Sequence, residues 1–271
     1  MIKEIEDKST TLAKALGVKG LLNIQFAIKD DTLFILEANP RASRTMPFVS
    51  KVTGNQIIKA GTLLMLGHSL DSIKKTTNYL NSSTNKVAIK KAIFPWSRFP
   101  AEDTMLGPEM KATGEVLGIG RSFGVALNKA YAAAGVEINE NEKGIFVSLS
   151  DQEKPNFIKI VKTYSDLGFK IYSTYGTGEY LKNNEINSTI VGRADETFPT
   201  SLTILQDKLI SLVINTPTFA NEYTDGWKIR RLSHETGVAV VSSVREAEAF
   251  LKAFLETTKS FEDMEAIQNV S

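Results

Sequence analysis

Apolar residues along this chain follow two rhythms. Over the first positions Ile2, Ile5, Leu12 and Leu16 recur near helical spacing with charges between them, and Gly17 closes the run, so a helix is expected over Met1–Leu16. Two short apolar runs follow, Gly20–Phe26 and Leu33–Leu36, joined by the polar turn Lys29-Asp30-Asp31-Thr32. That is the pattern of an antiparallel hairpin. Gln56–Leu66 reads as a second helix stopped at Gly67, and residues 69–86, rich in Ser, Thr, Asn and Lys, as a connecting loop. Val87–Phe94 reads as a strand entering an aromatic, proline-punctuated corner at 94–100. Gly118-Ile119-Gly120 is taken as a loop feeding a helix over Gly124–Ala134. It is not a dinucleotide loop, because no clear βαβ unit surrounds it and no acidic residue follows at the right distance. The charged stretch Asn139–Lys143 reads as a linker.

From Gly144 the rhythm changes. Apolar runs at Gly144–Leu149, Phe169–Tyr172, Ser188–Val191, Leu209–Ile214 and Val238–Val241 alternate with helical patterns at Glu153–Leu167, Gly176–Asn183, Thr200–Lys208, Lys228–Thr236 and Val244–Leu255. Strands alternating with helices predict a mostly parallel sheet covered on both faces. The polar tail from Glu256 is expected to fray.

At 271 residues the chain has room for about two domains. Its 42% hydrophobic and 23% charged content is that of an ordinary globular protein. A net charge of +1 gives no electrostatic case for nucleic acid or an anionic membrane. No apolar run nears the roughly 18 residues of a membrane span, and the N-terminus lacks a signal-peptide core. The chain has no cysteine, which excludes disulfides, thiolate metal sites and a cysteine nucleophile, and fits a reducing, cytoplasmic setting.

The richest chemistry lies at the end of the second apolar run. Glu37 and Asn39 share a side of one strand, and a carboxylate beside an amide oxygen suits a hard cation such as Mg²⁺ or Mn²⁺. Pro40 stops the strand. Arg41 and Arg44 then set fixed positive charges beside the metal, as phosphate chemistry requires. The hairpin turn would bring Gln25, which looks buried, close to Glu37. All three should converge at the strand ends.

The run Asn23, Gln25, Phe26, Glu37, Asn39-Pro40-Arg41, Arg44-Thr45, Pro47-Phe48-Val49-Ser50-Lys51 and Thr53-Gly54 resembles the C-terminal end of an ATP-grasp domain, in the form found in the carbamoyl-phosphate synthase large-subunit family. A second run, Leu106-Gly107-Pro108-Glu109-Met110 through Thr113-Gly114-Glu115-Val116 to Phe123, is similar to the stretch that follows the second ATP-grasp domain there. The resemblance implies that Gln25, Glu37 and Asn39 are metal ligands and that Arg41 and Arg44 contact ATP phosphates.

Polar clusters also sit at three strand ends of the second half: Ser148-Leu149-Ser150 with Lys154, Ser173 to Gly178, and Asn215-Thr216-Pro217-Thr218. Ligands of open α/β sheets bind there. Gly176 and Gly178 would let backbone N–H groups and a helix N-terminus approach an oxyanion. Thr174 and Thr177 would add hydroxyls, and Lys154 and Arg193 charge. Ser148, Lys154, Thr174, Gly176, Thr177, Asn215 and Thr216 resemble the methylglyoxal-synthase-like regulatory domain of the same family, with Arg193 where that domain has a basic residue. The resemblance implies an allosteric pocket for a nucleoside monophosphate, UMP ahead of IMP. Ornithine is not expected to bind. The Tyr-Asp-Thr run of ornithine-regulated members is missing, Ser242 follows the last strand, and Lys90-Lys91 stands near the corner. A general acid–base pair of the methylglyoxal synthase kind is also missing: the only histidines are His68 and His234, and His234 reads as a surface residue.

The expected fold is therefore α/β, a partial ATP-grasp C-terminal lobe followed by a doubly wound, mostly parallel, Rossmann-like sheet domain. The expected boundaries are 1–80, 81–138 and 139–271. The resemblance implies the C-terminal part of an ATP-dependent ligase of arginine and pyrimidine biosynthesis, with Mg²⁺ or Mn²⁺. The remainder of the large subunit and a glutaminase small subunit would be its partners. With no Gly-rich loop before Gln25, the chain reads as a fragment, a truncated product or one piece of a split enzyme, inactive alone. The alternative is a stand-alone nucleotide-sensing module without catalysis. A neighbouring reading frame for the rest of the subunit would discriminate between them.

Overall fold

The computed structural model describes residues 1–77, 85–99, 104, 114–136, 144–193, 196, 199–216 and 224–257. The linker at 139–143, residues 106–113 of the second family-like run and the end of the tail lie outside the described residues. The chain divides into two compact units, Met1–Asn85 and Lys86–Ile267.

The first unit opens with helix α1 (Ile2–Ala15), on which no residue is fully buried. Strands β1 (Asn23–Lys29) and β2 (Thr32–Asn39) pair antiparallel. Asp30 and Asp31 both take positive φ, 49° and 57°, the backbone of a tight hairpin turn whose twist matches the strands it joins. The register runs Lys29↔Thr32 to Phe26↔Ile35 and then jumps to Gln25↔Glu37. Leu36 is therefore an extra residue on β2, a bulge. It exchanges the faces. Leu33 packs on the Ile28 side and is buried, while Glu37 and Asn39 project on the side of Gln25 and Asn23. Three helices complete the unit: α2 (Thr45–Thr53), α3 (Ile57–Met65) and α4 (Leu70–Thr76).

The expected loop at 69–86 is corrected over 69–76. Ser69 caps α4 by accepting from the Ser72 N–H at 3.3 Å, and Ile73 is 1% exposed, so one apolar anchor and a cap outweigh a polar composition.

The second unit begins with β3 (Val87–Ile93) and β4 (Gly114–Gly120), an antiparallel pair covered by α5 (Phe123–Ala133). The Gly118–Gly120 segment, expected as a loop, is the end of β4. A Cβ on Gly118 would lie 2.0 Å from the Ala126 carbonyl oxygen, so that glycine lets α5 lie directly on the strand.

The rest is a five-stranded parallel sheet of β5 (Gly144–Ser148), β6 (Lys170–Ser173), β7 (Thr189–Ile190), β8 (Leu212–Asn215) and β9 (Ala239–Val241). Its spatial order is β7-β6-β5-β8-β9. The helices are α6 (Lys154–Asp166), α7 (Tyr175–Asn183), α8 (Ser201–Gln206), α9 (Asp225–Thr236) and α10 (Val244–Thr257). Alternation along β5 sends Ile145 and Val147 to one core, with Phe157, Val161 and Tyr164 of α6, and Phe146 to another, with Leu205 of α8 and Ile229 of α9. Two buried faces explain why the strands read as unbroken apolar runs. Burying a side chain the size of Phe146 contributes about 2 kcal/mol.

Gly118→Val should destabilise the chain by about 3 kcal/mol or more, because backbone stands where the side chain would go. Ile119→Val, one residue along, should cost only about 1 kcal/mol. Urea unfolding of the two variants measures this, and a Gly118→Val midpoint equal to wild type would rule out the close approach of α5.

Candidate functional site

In the first unit Gln25 stands directly opposite Glu37 in the register, and Asn23 opposite Asn39. The Asn39 amide Nδ2 donates to Glu37 Oε1 at 2.9 Å, which orients the carboxylate. Gln25, expected to be buried, is exposed, as is Glu37. The reason is that the two-stranded hairpin is open to solvent: Ile28, Phe34, Ile35 and Leu36 are exposed as well, so an apolar run here does not mark a buried strand. Past the strand, the Arg41 N–H donates to the Asn39 carbonyl at 2.8 Å and its guanidinium to the Ala42 carbonyl at 3.1 Å. Arg44 is the N-cap residue of α2. Both arginine side chains are exposed. Among the described residues no three His, Cys, Asp or Glu side chains cluster as a metal site.

In the second unit strand order reverses between β5 and β8, and the segments after these strands part there. Above the gap lies a cleft of ≈ 570 Å³ lined by Ser148, Ser150, Thr174, Gly176, Arg193, Asn215 and Thr216, and by Tyr175, Glu196, Thr224, Asp225, Gly226 and Arg230. Pro217 and Thr218 lie outside the described residues. The floor is closed by side chains. Ser150 N–H donates to Thr216 Oγ1 at 2.8 Å, Thr216 N–H to the Ser148 carbonyl at 3.1 Å, and Leu149 N–H to Thr177 Oγ1 at 3.0 Å.

The expected pocket residues divide by this geometry. Thr174, Gly176, Arg193, Asn215 and Thr216 face the cleft. Thr177 is 1% exposed and lies beneath it, bonded to Leu149 and to Thr174. Gly178 is a packing position, since its Cβ would meet Ser173 Oγ at 2.7 Å. Lys154 Nζ is held by Asp151 at 2.6 Å and by the Gly176 carbonyl at 2.8 Å, beside the first turn of α7. That turn has no side-chain cap, because the Thr174 hydroxyl donates to Thr177 instead. Its N–H groups and positive dipole end are open to an anion.

The wall from α9 was missed by sequence reasoning. Arg230 is 4% exposed and donates from Nη1 to Asn215 Oδ1 at 2.7 Å. Arg193 approaches Asp225 at 3.9 Å across the opening. The available signal was helical spacing: Gly226 and Arg230 are four apart and so share a face of α9.

A second cavity of ≈ 540 Å³ is lined by Lys90, Lys91, Trp96, Tyr131, Arg230, His234, Ser242 and Glu246, among others. Lys91 Nζ sits 4.2 Å from the Tyr131 ring centroid. Burial pulls its pKa down, partly offset by Glu246. Tyr131 donates to Glu246 at 3.3 Å, and its own pKa is pushed up by burial and then by Glu246. His234, expected at the surface, is half-buried, its ring 5.9 Å from that of Trp96. Burial first, then the positive charges of Lys91 and Arg231, take its pKa from the ordinary 6.5 down to about 4.

Fold and cleft together define the class: a doubly wound α/β domain with a strand-end cleft, preceded by a separate hairpin unit. Residues 156–242 match the MGS-like domain, and residues 1–73 match the carbamoyl-phosphate synthase L chain, ATP binding domain. "Carbamoyl phosphate synthase large chain, C-terminal section" of Aquifex aeolicus is 37% identical over 97% of this chain and 51% of its own length. The protein of the same name from Methanocaldococcus jannaschii is 37% identical over 97% of this chain and 43% of its own. "Carbamoyl phosphate synthase large chain" of Brucella suis is 40% identical over 93% of this chain and 22% of its own. The chain thus spans about half the length of the first of these relatives and about a fifth of the last. It belongs to the carbamoyl-phosphate synthase large-chain family and corresponds to the C-terminal part of that chain.

The depressed His234 pKa fixes the sign of a pH effect. Above pH 6.5 the imidazole is neutral in both states. Below it the unfolded chain takes up the proton first, so stability falls until about pH 4, where the folded state also protonates. The loss should be on the order of 2 kcal/mol. Thermal midpoints of wild type and His234→Gln across that range test it: the wild-type excess slope should vanish in the variant, and identical slopes would contradict it.

Proposed function

We propose that this chain is the C-terminal part of a cytoplasmic, glutamine-hydrolysing carbamoyl-phosphate synthase. It acts with the remainder of the large chain and a glutaminase small subunit, in arginine and pyrimidine biosynthesis. The observation that carries this reading is the joint match of hairpin and sheet domain, in that order, to the two family models and to relatives along 97% of the chain.

In this reading the hairpin serves ATP-dependent phosphorylation of carbamate. Gln25, Glu37 and Asn39 would hold Mg²⁺ or Mn²⁺, and the residues fit such an ion. The donors are hard oxygens, and a single carboxylate suits a metal that takes its remaining ligands from phosphates and water. A metal held there would supply positive charge to offset that of the ATP phosphates. Arg41 and Arg44 bind and orient the same phosphates, Arg by its planar fork. The described hairpin has no Gly-rich loop of its own to cover them.

The strand-end cleft is the allosteric site in this reading, and it takes a nucleoside monophosphate. The open first turn of α7, with Lys154, Thr174 and Gly176 around it, supports a phosphate there. Arg193, Asn215 and Thr216 line the same cleft. Thr177 supports this arrangement from beneath rather than by touching the ligand.

Two outcomes test the proposal. The 271-residue chain alone should form no carbamoyl phosphate from ATP, bicarbonate and ammonia. Activity should return when the remaining large-chain section and a glutaminase subunit are added, and Glu37→Gln should abolish that regained activity. Steady turnover by the chain alone would refute the division of labour. Separately, calorimetry on the whole chain should show UMP binding ahead of IMP, and none for ornithine. Lys154→Ala should weaken UMP by about 1–3 kcal/mol, the value of one charge-assisted bond. A folded chain giving no heat with millimolar UMP or IMP would end the regulatory reading.

A further inference from the structure

The strongest unassigned feature of the cleft is the contact between Arg230 and Asn215. Arg230 is 4% exposed, Asn215 3%, and both line the cleft. The Arg230 Nη1 to Asn215 Oδ1 distance is 2.7 Å. A guanidinium carries donors only, so the oxygen end of the amide must be the end that faces it. The Asn215 nitrogen is thereby turned the other way. One of its N–H groups reaches the Ser148 carbonyl only at 3.5 Å, and among the described residues the other is left for the cleft. Gly226 makes room for the arrangement: a Cβ there would stand 3.0 Å from Arg230 Nη1 and 3.6 Å from Asn215 Oδ1.

We propose that Arg230 is a positioning residue that locks the Asn215 amide with its N–H directed into the cleft, so that this wall accepts only a hydrogen-bond acceptor, and an anionic one best. The inference rests on the nucleotide reading of the cleft and adds a rule of selection to it. An unlocked asparagine can turn its amide to suit a donor or an acceptor. A locked one discriminates, because a ligand donor would face an N–H and leave a buried polar pair unsatisfied. The ligand atom at Asn215 is thus an acceptor oxygen, best a phosphate or carbonyl oxygen, and never an ammonium. The nearby Arg230 charge raises the polarity of the N–H through the amide, which favours phosphate over a neutral carbonyl.

The test uses the whole chain, with UMP and inorganic phosphate as probes. In ¹⁵N-labelled protein without ligand, the Asn215 side-chain amide pair is found by its loss in Asn215→Ala. The pair should shift in Arg230→Met, as the amide is freed to turn about χ2, and be largely restored in Arg230→Lys, which also serves should the Met variant fold poorly. By calorimetry Arg230→Met and Asn215→Ala should each weaken UMP about tenfold or more, the loss of one charge-assisted bond. The double variant should be no weaker than Asn215→Ala alone, because Arg230 acts through Asn215. Asn215→Asp keeps a partner for Arg230 but removes the donor, and should bind UMP less well than Asn215→Ala. Additive effects, or Asn215→Asp binding like wild type, would overturn the lock. Wild-type protein that binds neither probe, while Arg230→Met still frees the amide, would overturn the selection of anions and locate the failure in the nucleotide reading rather than in the Arg230–Asn215 geometry.

Discussion

The reversal of strand order between β5 and β8 is the constraint on which the second unit depends. Crossovers to β6 and onward to β7 lie on one side of β5, and β8 and β9 lie on the other. The chain segments leaving β5 and β8 therefore part, and the strand ends beneath them lose the neighbours that would cover their polar backbone. Side chains close the account of hydrogen bonds instead. Thr216 takes the Ser150 N–H and Thr177 takes the Leu149 N–H. The same opening that demands these bonds creates the cleft. These two threonines differ in reach: Thr177, 1% exposed, only closes the floor, whereas Thr216, 7% exposed, closes it and also lines the cleft.

That division explains what could be read from the chain. The parallel sheet was legible because strands buried on both faces must be apolar throughout, and Ile145-Phe146-Val147 and Leu212-Val213-Ile214 are. The hairpin was legible because its turn residues have a known backbone preference. The family-like positions at Glu37, Asn39, Arg41 and Arg44 were legible as a run. The Leu36 bulge was not. A period-2 pattern presumes unbroken pairing, and an extra residue reverses the face without altering composition. α4 was hidden because seven residues hold too few apolar positions to show a helical period. Gly118 and Gly120 looked like loop residues, although the reason for glycine there lies in α5, beyond the strand that carries them.

Arg230 and His234 were hidden for a different reason. A helix reading Lys228-Ile229-Arg230-Arg231-Leu232-Ser233-His234 has the composition of a solvated surface, yet Arg230, Arg231 and Ser233 are buried. Each of these buried polar groups has a specific partner. Arg230 has Asn215, Arg231 has the Phe99 carbonyl at 2.8 Å and Glu235 at 2.9 Å, and Ser233 donates to the Ile229 carbonyl at 2.7 Å. Ser233 finds its partner within its own helix, and Arg231 finds one of its two there, Glu235. For the arginines, burial depends on residues 15 and 132 positions away, a relation that no local pattern expresses.

The cost of burying charge decides how this helix can vary. Two guanidiniums are affordable because each donates to a fixed oxygen and keeps its charge. His234, one turn beyond Arg230 and beside Lys91 and Arg231, has no such acceptor among the described residues and is neutral above about pH 4. The helix therefore carries its buried positive charge at the two positions that have oxygen partners, and an uncharged ring at His234. One of those partners belongs to the cleft and the other to the aromatic corner at Phe99, so a single rigid helix of 12 residues sets both the donor wall of the cleft and the seat of the corner. A lysine at 231 would keep the charge, yet one ammonium has no rigid fork with which to hold Phe99 and Glu235 together. Charge conservation alone does not preserve this arrangement; the shape of the guanidinium does.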